Sequence, residues 1–205
     1  MLPTLELERE LHLQGYRLVA GIDEAGRGAL AGPVVAAVVI LPDDFYLKGV
    51  RDSKLIPELK REVLYEQVIS SVLAYGVGVV GNEVIDKINI LQSTFVAMRM
   101  AVEQIPTRPD IALIDGRDAP NVGIPAKAVI RGDAISTSIA AASIVAKVTR
   151  DRIMRDCHAL FPEYGFDKNK GYGTRTHREA IERVGSCTLH RLTFLGNLLQ
   201  ERLSL

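Results

Sequence analysis

The chain has 205 residues, 47% of them hydrophobic, and its 25 basic and 25 acidic side chains balance to a formal charge of zero. This is enough chain for one domain spanning residues 1–205 with a sizeable core, and it excludes a disordered chain or a uniformly basic nucleic-acid coat. Charge is nonetheless uneven: from Lys127 to Arg191 there are twelve Lys or Arg against seven Asp or Glu, an excess that can attract phosphates. Cys157 and Cys187 show no CxxC spacing and read as reduced, structural thiols. The N-terminus is acidic rather than signal-like, and no run of about eighteen apolar residues suggests a membrane span. The expectation is a soluble, cytoplasmic monomer.

In chain order, residues 4–13 suit a short helix with Leu5, Leu7 and Leu11 on one face and Gly15 as its stop. YRLVAGID and GPVVAAVVILP read as strands, rich in Val and Ile and bounded by Gly or Pro. Pro57 opens a helix over 58–72, with Leu59, Val63, Leu64, Val68 and Val72 spaced for one face. SVLAYGVGVVG is a third strand, and NILQSTFVAMRMAVEQI a long helix ending before Pro106. DIALID is a short strand, apolar enough to be buried on both faces, and AKAVIRGD a fifth. STSIAAASIVAKVTRDRIM is an Ala-rich helix with Ser and Thr at its start for capping. The loop EYGFDKNKGYGT, a helix from about Arg175 to Val184 and a last one from about Gly196 complete the chain. Three successive strands suggest an antiparallel meander, and the two later strands, each preceded by a helix, suggest parallel additions. The expected fold class is α/β: a mixed five-stranded sheet flanked by helices, with a helical, loop-rich part from about residue 150.

Four carboxylates stand out. Asp23 and Asp115 end apolar strands, Glu24 is adjacent to Asp23, and Asp133 follows a strand after one Gly. Sites in α/β proteins gather at strand ends, and converging carboxylates need a hard divalent cation such as Mg2+ or Mn2+. Each Asp alone can equally cap a turn or a helix. Adjacent strand residues face opposite ways, so Asp23 and Glu24 reach one site only if the strand ends or distorts there. Gly26 and Gly28 around Arg27 are compatible with such a break, or with a plain turn. Tyr172 lies between Gly171 and Gly173 near Lys168, Lys170 and Arg175, as a base-stacking residue would, or a packing one. Lys147 and Arg150 can face phosphates or solvent, and Asp151 is spaced to pair with Arg155.

Taken in order, GIDEAGRG, DSK, LIDG, GD before STSIAAASIVAKVTRDRIM, and KGYGT resemble bacterial ribonuclease HII, the type 2 ribonucleases H, over about Val19 to Phe194. The resemblance implies a ribonuclease H-like fold and an endonuclease on RNA–DNA hybrids and on duplex DNA carrying single ribonucleotides. By motif match, Asp23, Glu24, Asp115 and Asp133 would bind two Mn2+ or Mg2+ ions. Gly26, Arg27 and Gly28 would meet the ribose 2′-hydroxyl, and Tyr172 would stack on the sugar at the junction. Lys54, Lys147 and Lys170 are further candidates for substrate binding. The competing expectations are a non-catalytic hybrid-binding protein on the same fold and a phosphotransferase; no Walker-type loop favours the latter.

Overall fold

The computed structural model describes residues 2–196, and the helix expected from about Gly196 falls beyond that range. Five strands form one mixed sheet in the order β3-β2-β1-β4-β5. They are β1 (Val19–Ala25), β2 (Val34–Ile40), β3 (Ala74–Val80), β4 (Ile111–Asp115) and β5 (Ala126–Val129). β1, β2 and β3 pair antiparallel, whereas β4 joins β1, and β5 joins β4, in parallel. The expected meander and parallel additions are therefore present. One detail differs: β5 follows β4 through residues 116–125 without a helix.

Burial explains the order. Every residue of β2, VVAAVVI, is buried, as a strand covered on both faces requires. β3 alternates buried and exposed positions, as an edge strand does. One face is covered by α3 (Asn82–Gln104), which packs Ala97, Met98 and Ala101 against Ala36 and Val38. The other is covered by α2 (Glu58–Ser71) and α4 (Thr137–Leu160), whose Ala140, Ala141 and Ile144 meet Ala37 and Val39. A Cβ on Gly21 would lie 2.2 Å from the main chain of Ser138, so glycine is what lets α4 lie directly on β1.

The start of α4 is capped twice. The Ser136 hydroxyl accepts from the Ile139 N–H at 3.2 Å. Glu8 of α1 (Glu6–Leu13) accepts from the Ser136 and Ser138 hydroxyls at 2.6 Å each and from the Ser138 N–H at 2.9 Å. A carboxylate there offsets the positive end of the helix dipole.

α3 begins seven residues before the segment expected to be helical. At Asn89 the backbone turns to φ 66°, ψ 167°, and the Asn89 side chain accepts from the Gln92 N–H at 3.1 Å. The apolar period in the sequence starts at this internal cap, which hides the nearly two turns before it. The C-terminal part holds α5 (Phe166–Asn169) and α6 (Arg175–Val184), packed with Met154 and Tyr164 around their own apolar cluster.

Candidate active site

Because β1 is central and β4 runs parallel beside it, Ile22 pairs with Ile114 and the next residues, Asp23 and Asp115, become neighbours. Asp133 arrives from the turn after β5, where the Gly132 N–H donates to Asp115 at 2.6 Å. One carboxylate oxygen from each of Asp23, Asp115 and Asp133 lies within 4.8 Å of the other two. Burial, with repulsion from Glu24 and Asp115, raises Asp23 well above the ordinary carboxylate range, against the opposing hydrogen bond of Ser143. Burial, with Asp52 and Asp115, raises Asp133 too. Oxygen donors held this close, with no His or Cys among them, suit a hard divalent cation.

Glu24 lies within the strand rather than at its end. β1 does not break at Asp23: it runs on to Ala25, with Glu24 paired to Ala36 and Ala25 to Val35. The Glu24 carboxylate is not among the three clustered oxygens, yet it lies close enough for Asp23 and Glu24, and Asp115 and Glu24, to repel each other. Its Oε1 accepts from Arg27 at 3.0 Å. Its Oε2 is buried and has no hydrogen-bond partner within the described residues. Burial raises Glu24 despite the Arg27 hydrogen bond, so this orphaned oxygen is an acceptor awaiting a donor or a cation.

Beyond Glu24 the chain turns through Gly26, Arg27 and Gly28 and borders a cavity of about 490 Å³. Arg27, Gly28, Lys54, Arg61, Lys147 and Tyr172 line it. Gly26 has φ +96°, and a Cβ there would meet the Arg150 guanidinium at 2.0 Å. A Cβ on Gly28 would meet nothing within 4 Å. The first glycine serves the turn itself, and the second leaves clearance.

The lysines divide. Lys54 is largely exposed and reaches Asp133 at 3.9 Å. Although partial burial pulls it down, Asp23, Asp52, Asp133 and Asp115 hold it above the ordinary lysine value. Lys147 lies on the cavity wall and pairs with Asp151 at 2.5 Å, with its Nζ 5.6 Å from the Tyr172 ring centroid. Burial lowers it. Asp151 thus pairs with Lys147 and Arg61, not Arg155, which turns to Glu58 and Glu62 of α2. Lys170 is buried, pairs with Glu58 at 3.2 Å and donates to the Asp167 carbonyl, so its ammonium does not border the cavity.

Comparison with known proteins places the chain in a family. The ribonuclease HII family model matches residues 20–196. A ribonuclease HII from Syntrophus aciditrophicus is 54% identical over 91% of this chain and 88% of its own. One from Caldicellulosiruptor saccharolyticus is 49% identical over 95% of each. The chain belongs to the ribonuclease HII family. Among solved structures, ribonuclease H2 from Pyrococcus horikoshii OT3 superposes with a TM-score of 0.73 at 26% identity, covering 90% of this chain and 98% of that one. Membership makes this protein a metal-dependent ribonuclease, and the three-aspartate cluster is compatible with that.

Within this ribonuclease HII site, several residues carry no signal in the sequence. Ser143 of α4 hydrogen-bonds Asp23 and shares a 2.8 Å hydrogen bond with Ser53. Arg61 looks like one more surface residue of an amphipathic helix, yet it is buried beside Asp151. Arg150 and Arg191 are wholly buried, and their guanidinium groups donate to main-chain carbonyls. Arg150 holds those of Pro33, Ala31 and Lys170. Its guanidinium also sits 5.1 Å from the Tyr172 ring centroid. Burial and the neighbouring Arg150 push Arg191 down to about 9, which leaves it protonated at neutral pH.

Proposed function

We propose that the protein is an endonuclease that cleaves the RNA strand of RNA–DNA hybrids and cuts 5′ of single ribonucleotides embedded in duplex DNA. The products are a 3′-hydroxyl and a 5′-phosphate. The observation that carries this reading is the closeness of Asp23, Asp115 and Asp133 beside a cavity bordered by a glycine-lined turn.

Asp23, Asp115 and Asp133, joined by the unpartnered oxygen of Glu24, would hold Mg2+ or Mn2+. Bound there as a pair, such ions would supply Lewis-acid chemistry to the phosphate and the attacking water. The chain's own groups do the rest. Lys54, beside Asp133, offsets negative charge as the phosphodiester approaches. Gly26, Arg27 and Gly28 present main-chain groups to the ribose, where a 2′-hydroxyl can both donate and accept. Tyr172, with the Arg150 and Lys147 cations beside its ring, offers a surface for the sugar at the junction. Lys147 and Arg61 supply positive charge along the wall for the backbone.

The test is to incubate the protein with duplex DNA containing one ribonucleotide, with Mg2+ or Mn2+, and to map the cut and its termini. A single cut 5′ of the ribonucleotide supports the reading. No cleavage in either metal leaves the non-catalytic hybrid binder in its place.

A further inference from the structure

Arg191 enters the site from the far end of the described chain. Its NH2 donates to the Gly26 carbonyl at 2.8 Å and its NH1 to the Arg27 carbonyl at 2.9 Å. Its remaining bonds go to the carbonyls of Gly32 at 3.0 Å and Pro33 at 3.1 Å, and its own N–H donates to the Leu30 carbonyl at 2.8 Å. Apart from the Arg27–Glu24 ion pair, the turn has only its own hydrogen bond, from the Ala29 N–H to the Gly26 carbonyl, at a long 3.3 Å. With their carbonyls drawn toward Arg191, the N–H groups of Arg27 and Gly28 donate to nothing within the described residues, and both residues line the cavity.

We infer that Arg191 is a positioning residue for ribose recognition, fixing the Gly26–Arg27–Gly28 turn from behind so that free main-chain donors face the sugar. This rests on the reading of that turn as the ribose contact. A buried guanidinium whose acceptors are all neutral carbonyls is an expensive way to fill a core, because the charge is taken out of water without a carboxylate partner. The planar fork spans four carbonyls at once, whereas a lysine ammonium carries three donors on a single atom and cannot. Arg150 performs the companion task on the Lys170 carbonyl, two residues before Tyr172, but reaches neither Gly26 nor Arg27 through a hydrogen bond.

The experiment compares binding of a duplex with one ribonucleotide and of its all-DNA counterpart, by fluorescence anisotropy, in an Asp23→Asn background that prevents cleavage. With Arg191 present, the ribonucleotide duplex binds about tenfold more tightly, the worth of one or two hydrogen bonds. Arg191→Lys is expected to bring that ratio to within about twofold of unity while all-DNA binding changes little. If Arg191→Lys lowers both affinities in proportion and leaves the ratio intact, Arg191 is merely structural and the inference is overturned. Should that variant fold poorly, Arg191→Ala is measured with millimolar guanidinium chloride. Recovery of the ratio with guanidinium and not with sodium supports the inference; recovered binding at a ratio of one contradicts it. A ratio of one with Arg191 intact overturns the reading of the turn itself, and this shows before any Arg191 variant is made.

Discussion

The Nε2 atoms of His177 and His190 lie 3.1 Å apart in the C-terminal part, so one ring must donate and the other accept. The Cys187 N–H donates to His190 Nδ1 at 2.9 Å, which leaves the His190 proton on Nε2, directed at His177. His177 then carries its proton on Nδ1 and donates to the Tyr172 carbonyl at 2.9 Å. The relay works only with both rings neutral, and it ends on the residue proposed to stack on the substrate.

Burial and the His177 ring lower His190 to about 4, and burial lowers His177 as well. The unfolded chain takes up these protons near pH 6.5, whereas the native state refuses them. Stability from this pair is therefore complete above pH 6.5 and lost as pH falls toward 4. Between pH 7 and pH 5, His190 alone is expected to remove about 2 kcal/mol. Urea unfolding checks this as the difference in pH dependence between the wild type and His190→Asn; parallel curves would refute it.

The two glycines of the turn are expected to fail differently. Gly26→Ala forces a Cβ into the Arg150 guanidinium at positive φ, and should lower stability by at least about 2 kcal/mol. Gly28→Ala enters open space and should stay within about 0.5 kcal/mol of the wild type by thermal unfolding. Its cleavage of a single-ribonucleotide duplex should nevertheless drop about a hundredfold in kcat/KM, because the methyl group occupies the clearance the sugar needs.

Tyr172→Ala should cost about 1–3 kcal/mol of stacking, and mainly on the substrate with one RNA–DNA junction. The comparison is kcat/KM on a single-ribonucleotide duplex against a long hybrid. Equal losses on both would count against a junction role.

Lys170 belongs to the fold rather than to the cavity. Lys170→Met removes its bonds to Glu58 and the Asp167 carbonyl and should lower Tm by several degrees, with KM for the hybrid changed less than about twofold. A KM increase of tenfold at unchanged Tm would restore it to the substrate surface.

Much of this architecture was legible because apolar runs with β-branched residues, bounded by Gly and Pro, mark buried strands directly. The central place of β1 and the gathering of Asp23, Asp115 and Asp133 follow from strand order and strand ends. The course of the strand through Glu24 did not show, because GRG suggested a break where sheet pairing to β2 in fact continues. The arginines were hidden for a different reason. Arg150 could face phosphates or solvent, nothing in the sequence marked Arg61 or Arg191, and only the tertiary fold shows that Arg150 and Arg191 are anchored on main-chain carbonyls and Arg61 beside Asp151.

In the proposed reaction the aspartate cluster supplies chemistry rather than grip. The most direct measurement sets cleavage against binding for Asp23→Asn on a duplex with one ribonucleotide, in Mg2+ and in Mn2+. Cleavage should fall by at least about 10⁴-fold while Kd stays within about threefold of the wild type. Cleavage that survives in Asp23→Asn, or is lost only in step with binding, would contradict the account.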